Sequence, residues 1–512
     1  MIVRVVPDVA GLDGKSFDYL VPDDLRDQVR VGTIVRVALH GRRVRAWVTA
    51  IDVAPPEGVA LKPIAMVSRG GTTAELVDLA SWAAWRWAGR LVHLLDTASN
   101  AQGRVQVATP VGTGVGAAEP GVTVLQVPPA AAPPSFDGAL VVDGRRSTVW
   151  AAAPTAQVLV VIDEHDEGLQ EERAPTWHAR DVAVERARRA GIPCVLVSPC
   201  PSLEARRIAD RIIEPTRDEA RAGWPVLDII DRRHDDPRSG LYSDKLVQAI
   251  RRAGDRRVVC VLNRKGRSRL LACAACGQVA TCERCDAAVV QPDDVLVCER
   301  CGTTRPVVCT ECGSTVMRNL RVGVGRVREE LEAILGEPVG DEDGSSRVLV
   351  GTEAVLHRNI RDVGLAAFLD IDQELLAPRY RADEQAMALL ARAARLVGPR
   401  RGGGRVAVQT RQGRHPVLDA VLHADPGRLV AHEQARREQL GFPPVTAMAA
   451  VSGTGAAAYV ESLGAPLGVD ILGPADGTWL LRADGHRTLC DALAAAPRPK
   501  SRTRIEVDPL RI

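Results

Sequence analysis

Eight of the chain's twelve cysteines fall between Cys273 and Cys312, in the run CAACGQVATCERCDAAVVQPDDVLVCERCGTTRPVVCTEC. They form four Cys-x-x-Cys pairs. Each pair can turn two thiolates toward one ion, and two pairs complete the tetrahedral four-sulfur set of a closed structural zinc site, so eight cysteines predict two zincs. The gaps between successive pairs are five, twelve and seven residues. The short gaps make sharing between adjacent pairs awkward, so the spacing predicts a nested scheme. Cys273, Cys276, Cys309 and Cys312 hold one zinc, and Cys282, Cys285, Cys298 and Cys301 hold the other. A glycine follows the second cysteine at Gly277, Gly302 and Gly313, which suits a turn in which backbone N–H groups approach sulfur. A site with four protein ligands leaves no coordination position for water or substrate, so the module fixes a surface rather than performing a reaction. Cys194, Cys200, Cys260 and Cys490 are isolated and read as core or surface thiols.

Two other stretches carry groups that could do chemistry. Asp163-Glu164-His165-Asp166 follows the apolar run VLVVI, where acids at a strand end either hold a metal or cap and face water; the latter reading is preferred. Residues 392–414 hold seven Arg and no acid, a pattern that fits a solvated face or a phosphate-binding stripe equally well.

The chain that positions these groups has 512 residues, 46% of them hydrophobic, and a net charge of +2. That length suggests several domains, and the charge balance neither requires nor excludes nucleic acid. Only five of the 66 basic residues are Lys, so Arg runs carry little information by themselves. MIVRVVPDVAG does not read as a secretory leader, and no apolar run approaches the ~20 residues of a membrane span. The expected compartment is the cytoplasm, where clustered cysteines are metal ligands rather than disulfides.

Residues 1–100 read as a β-rich unit followed by a Trp-bearing helix, in which Trp82, Trp85 and Trp87 are expected to pack rather than stack on bases. Residues 101–135 are rich in Gly, Pro and Ala and read as a linker or reduced domain. Residues 136–230 alternate short apolar strands with helices, and residues 231–415 repeat that pattern around the zinc module at 270–315, which points to parallel sheets. Residues 416–512 form a further small α+β unit. The fold class is therefore α/β multidomain.

The opening FDYLVP, HARDVAVERA, VLNRKGRS, the zinc run and the terminal VDP, in this order along the chain, together resemble the PriA family of primosomal, replication-restart proteins. The resemblance implies an N-terminal 3′-DNA-binding domain, a two-lobed superfamily-2 helicase core with the zinc module inserted in its second lobe, and a C-terminal domain. It fails at the family's ATPase motifs. A phosphate cradle needs glycines, a Lys and a Ser or Thr, but the corresponding place reads ALVVDGRRSTVW, and no other such loop occurs. Asp-Glu-Glu-His is represented by Asp163-Glu164-His165-Asp166, and Ser-Ala-Thr-Pro by Ser198-Pro199-Cys200-Pro201. Gly351-Thr352 remain, but the Lys-Gly and Asp expected after them are replaced within LHRNI. The arginine-finger motif is reduced to RAARLVGPR. Loss of the ATPase, and of helicase activity with it, is the expectation; residual nucleotide binding stays open.

The family's end-binding pocket maps onto Phe17, Asp18, Tyr19, Gly41 and Lys62. The implied roles are an aromatic face for a terminal base, a carboxylate accepting from base or sugar, a glycine permitting close approach, and an ammonium for phosphate. Arg42, Arg43 and Arg45 could track the backbone. The implied partners are forked DNA with a nascent 3′ end, primosome and helicase-loading proteins, and single-stranded DNA-binding protein, with no membrane. The expected function is recognition of stalled or abandoned forks and reloading of the replicative helicase. Two rivals are an ATP-dependent 3′ to 5′ helicase and a zinc-stabilised scaffold that binds no DNA.

Overall fold

The computed structural model describes residues 1–12, 14–54, 58–101, 119–233, 235, 240–262, 270–319, 327–341 and 346–511. Residues 263–268 of the VLNRKGRS run lie outside them.

Strands Phe17–Leu20, Ile2–Pro7, Arg42–Ile51, Thr33–Leu39 and Met66–Gly71 hydrogen-bond in that spatial order. Alternation along them turns Val3, Val5, Tyr19, Val35, Val37, Ala46 and Val48 into one core, as the period of two requires. Ile34 and Trp47 point the other way, into a core shared with helices Ala74–Arg86 and Leu91–Asn100. Thr73 caps the first of these helices by accepting from the Leu76 N–H. Its apolar stripe of Leu76, Val77, Leu79, Ala80 and Ala83 is buried. Trp87 is buried and meets Trp82 edge to face at 5.4 Å, and the Trp85 indole N–H donates to Asp491 at 2.9 Å. The tryptophans are packing residues.

The first α/β unit is a five-stranded parallel sheet in the order Arg211–Ile213, Gly121–Gln126, Pro193–Ser198, Val158–Ile162, Ala139–Val142. Its strand Gly121–Gln126 lies inside the stretch whose composition suggested a linker: six residues surrounded by Gly, Pro and Ala carry too little periodicity to stand out. The second unit has six parallel strands, ordered Val226–Asp231, Arg405–Thr410, Val363–Phe368, Arg257–Val261, Val348–Gly351, Val339–Gly340. Its sheet thus begins a few residues before the expected boundary at 231. The helices Pro416–Leu422 and Gly427–Leu440 follow this sheet, and Val417, Leu418, Val421 and Leu429 are buried in its core. The expected boundary at 416 is instead a helix start, since His415 caps and Pro416 occupies the first turn, where its missing N–H costs nothing. The C-terminal antiparallel sheet runs from Ala447–Ser452 to Arg504–Val507.

The two ends of the chain meet. Arg86 donates to Asp508 at 2.6 Å, and His486 Nε2 lies 2.8 Å from the same carboxylate. The side-chain amide of Gln170, from the first α/β unit, donates to the Asp508 carbonyl at 3.0 Å. Burial alone would raise the Asp508 pKa, but His486 and Arg86 together hold it far below the ordinary carboxylate range. Asp508→Ala leaves a buried guanidinium without its carboxylate and should cost about 3–5 kcal/mol, read as a lower urea midpoint by tryptophan fluorescence. Because the folded pKa lies below the unfolded value of about 3.9, the contribution is fully present above that value and lost as pH falls. Acidification from about pH 5 downward should therefore weaken the unaltered protein more than the variant.

Candidate metal centre and nucleic-acid interface

Four short turns build the cysteine module, and they share one pattern. The first cysteine's carbonyl accepts from the residue after the second: Gly277 to Cys273 at 3.0 Å, Asp286 to Cys282 at 2.9 Å, Gly302 to Cys298 at 2.9 Å and Gly313 to Cys309 at 3.0 Å. These four donors have φ values of 78°, 60°, 72° and 73°. A left-handed residue is what closes the turn, so glycine is favoured there and Asp tolerated. The glycines marked three of the turns in the sequence; Asp286 was the one missed.

The turns gather Cys273, Cys276, Cys309 and Cys312 into one cluster and Cys282, Cys285, Cys298 and Cys301 into the other, with the sulfurs of each set within 4.8 Å of one another. Cys273 to Cys312 and Cys285 to Cys298 are 3.5 Å apart, and Cys276 to Cys309 and Cys282 to Cys301 are 3.6 Å apart. Four ligands at the Zn–S bond length of about 2.3 Å would stand about 3.8 Å apart in a tetrahedron, so both donor sets fit a divalent zinc. The two clusters differ in exposure. Cys276 and Cys312 are exposed, whereas Cys282, Cys285 and Cys298 are buried beside Tyr380, Leu440, Phe442 and Met448. Arg300 fastens the inner cluster to the second α/β unit by donating to the carbonyls of Cys285 at 2.8 Å and Ala377 at 2.5 Å.

At the N-terminal end, the segment before Met66–Gly71 closes the strands around their core. The Leu20 N–H donates to the Lys62 carbonyl at 3.0 Å, Ile64 N–H to Leu20 at 2.9 Å and Ala65 N–H to Arg36 at 2.8 Å. Lys62 is thereby set beside strand Phe17–Leu20, with its side chain exposed. His40 and Gly41, at φ 49° and 77°, form the tight turn between Thr33–Leu39 and Arg42–Ile51. A Cβ on Gly41 would meet nothing within 4 Å. The glycine therefore answers the backbone's left-handed φ and leaves its outer side open.

The five pocket residues differ in availability. Phe17 is half-buried at the edge of the core, and Lys62 and Gly41 are exposed. Asp18 is gripped by Arg4 across the strand pair, Nε to Oδ1 at 2.9 Å and Nη2 to Oδ2 at 3.1 Å. Tyr19 is buried, its hydroxyl donates to the Ala38 carbonyl at 3.0 Å, and burial raises its pKa. It ties strand Phe17–Leu20 to the residues before the Gly41 turn and cannot serve as a stacking face. Arg45 is likewise engaged, with Asp8 at 2.9 Å, Asp96 at 2.8 Å and the Trp47 ring at 4.5 Å. Arg42 and Arg43 lie exposed on the turn. Nothing local marks Arg4 as the partner of Asp18, because only the register of the two strands brings them together.

The exposure difference between the clusters predicts their order of release. A chelator should take one zinc equivalent quickly and the second slowly, from a freshly purified total of two per chain. Cys276→Ser should abolish the fast phase alone, measured by a colorimetric zinc assay. Cys285→Ser should release the module from Arg300 and Phe442 and lower the thermal midpoint as well.

Residues 4–99 match the family described as the PriA 3′ DNA-binding domain (3′BD). The chain is 30% identical over 379 residues to the replication restart protein PriA of Treponema pallidum (strain Nichols), covering 65% of this chain and 57% of that protein. It is 31% identical over 371 residues to the probable replication restart protein PriA of Mycobacterium tuberculosis (strain ATCC 25618 / H37Rv), covering 66% and 56%. It is 27% identical over 343 residues to the replication restart protein PriA of Bacillus subtilis (strain 168), covering 60% and 42%. The chain thus spans about half the length of the curated relatives it matches. The match of residues 4–99 to the 3′ DNA-binding domain and these similarities through most of its length relate the chain to the PriA replication restart proteins.

Proposed function

We propose that this protein recognises stalled or abandoned replication forks through a nascent 3′ end and promotes primosome assembly, without unwinding DNA. The carrying observation is the match of residues 4–99 to a 3′ DNA-binding domain, joined to the exposed Lys62, Arg42 and Arg43, which are free to meet phosphate. In this reading Phe17 presents its edge to the terminal base, Asp18 accepts from base or sugar through the lone pairs Arg4 leaves free, and Gly41 lets the strand approach. Tyr19 shapes the pocket from behind. The relatives' names speak of replication restart, and the same role is proposed here.

The two α/β units are read as degenerate helicase lobes that no longer hydrolyse ATP, the zinc module as a structural two-zinc docking surface, and the C-terminal unit as part of the same platform. The partners are forked DNA, primosome and helicase-loading proteins, and single-stranded DNA-binding protein, in the cytoplasm. Among the described residues no helix is long and apolar enough to cross a membrane.

Titration of matched forks ending in 3′-hydroxyl and 3′-phosphate, with and without ATP, tests the reading. The hydroxyl end should bind more tightly, and ATP should change neither affinity nor strand separation. Asp18→Ala should lose the end preference more than the overall affinity, because a base or sugar contact selects while phosphate contacts hold. Lys62→Ala should weaken all forks alike and lower the salt slope by about one unit. Equal binding of both ends would remove the end pocket, ATP-driven strand separation would favour the helicase, and indifference to DNA would favour the scaffold.

A further inference from the structure

The two α/β units face each other across a cleft, and one stripe of the helix Ala382–Val397 runs along it. Arg395 grips Asp163 with both terminal nitrogens, at 2.5 and 2.7 Å, and its Nε donates to the Pro129 carbonyl at 3.3 Å. One turn earlier, Arg392 pairs with Asp166 and lies 3.0 Å from His357 Nδ1. Gln385 reaches Glu167, and Glu384 accepts from the Leu203 N–H at 2.9 Å. Just before the helix, Arg381 donates to Glu204 at 2.5 Å. Positions 384, 385, 392 and 395 lie on one side of a helix, and each reaches the first unit. Among the described residues, this face carries more cross-cleft polar contacts than a flexible hinge would leave in place.

A nucleoside triphosphate with its magnesium does not fit what surrounds Asp163. After strand Ala139–Val142 the chain passes through Asp143, Gly144 and Arg145 into a short 3₁₀ turn, Arg146–Trp150, so no α-helix N-terminus or Lys stands ready for phosphate. Arg146 is itself committed to Glu171 at 2.8 Å. The carboxylate that would face a magnesium ion is already saturated by a guanidinium. Burial alone would raise the Asp163 pKa, but the Arg395 hydrogen bonds and neighbouring positive charge hold it below the ordinary range. The cavity of about 340 Å³ beside these pairs has Glu167, Glu374 and Glu384 opposite Arg379, Arg381 and Arg511. It offers no net positive cradle.

We propose that Asp163–Arg395 and Asp166–Arg392 form a permanent latch that takes the place of nucleotide, holding the two units closed in a single conformation. Arg395 supplies the fixed positive charge that a bound cation would otherwise bring, and closure needs no ligand. A single part-exposed pair contributes little. Two pairs on adjacent turns, reinforced by the Glu384 and Glu204 contacts, act on the same pair of surfaces and add up. The latch deepens the reading of a non-unwinding platform and rests on it.

The test is hydrogen exchange of peptides spanning 158–170 and 382–397, with small-angle scattering of the full zinc-loaded chain. In the unaltered protein, millimolar Mg·ATP should change neither. Arg395→Glu sets two acids against each other and should speed exchange in both peptides by about tenfold or more. Asp163→Arg with Arg395→Glu rebuilds the pair in reverse and should return exchange toward the starting rate. Arg395→Gln, which removes charge without repulsion, provides a milder variant and should fall between. Protection of these peptides by Mg·ATP in the unaltered protein, or equal exchange in the unaltered chain, Arg395→Gln and Arg395→Glu, would overturn the latch. Fork binding is measured on the same samples. Its loss from the unaltered protein would remove the proposed function while leaving the exchange result to stand on its own.

Discussion

A guanidinium cannot shed its charge when it is buried, so each buried Arg must be met by carboxylates or carbonyls. That requirement organises this molecule. Arg437 is entirely buried and is satisfied by Glu433 at 2.8 Å, Glu384 at 2.5 Å, Glu204 at 3.2 Å and the Pro443 carbonyl at 2.9 Å. Those acceptors come from its own helix, from the second unit's Ala382–Val397, from the first unit and from the turn into the C-terminal sheet. Glu204 is shared with Arg381, and the charges of Arg381, Arg437 and Arg180 overcome its burial to hold its pKa down to about 2. One residue thus fixes three parts of the chain relative to one another. Pulling any of them away would strand a charge in a low-dielectric interior.

The peripheral modules are attached to this frame by the same means, and each leaves a different face free. Arg300 holds the inner cysteine cluster against the second unit while the outer cluster projects with Cys276 and Cys312 exposed. Arg86 joins the N-terminal helix to the last strand through Asp508. In the strands beyond that helix, the outer side of Gly41 stays open and Arg42 and Arg43 are exposed. Aromatic residues are only 3% of the chain, so Arg–carboxylate pairs do much of the joining that aromatic side chains do in other interfaces.

What could be read from sequence depended on how far apart the participating residues lie. The two cysteine clusters were legible because each Cys-x-x-Cys turn is local, and the gap lengths restrict how turns can pair. The alternating sheets were legible from apolar runs, but Gly121–Gln126 was hidden by its Gly- and Pro-rich surroundings and Pro416 was mistaken for a boundary. For the expected end pocket, residue types pointed to Tyr19 equally with Phe17, because a strand's sequence does not say which of its faces the fold will bury. The Arg stretch at 392–414 offered only solvent or phosphate as explanations. Its Arg392, Arg395 and Arg405 instead pair with Asp166, Asp163 and Asp228, partners more than 170 residues away that no local pattern could nominate.

The geometry also bears on why a rigid body suits end recognition. Under the proposed function, choosing a 3′ terminus by one carboxylate and one aromatic edge would give a small energy difference, while phosphate contacts would hold any nearby DNA. Such discrimination is useful to an assembling complex only if the selected end stands in a fixed relation to the surface where partners dock. A motor varies that relation with each nucleotide. Here Arg86, Arg437 and the Asp163–Arg395 pair connect the N-terminal unit, the C-terminal sheet and the cysteine-bearing unit through side chains that are already neutralised. Closing energy that a nucleotide would provide transiently is instead present in the folded chain. Under the proposed function, a fork end held near Gly41 and a protein partner seated on the cysteine module would therefore meet at one geometry set by folding.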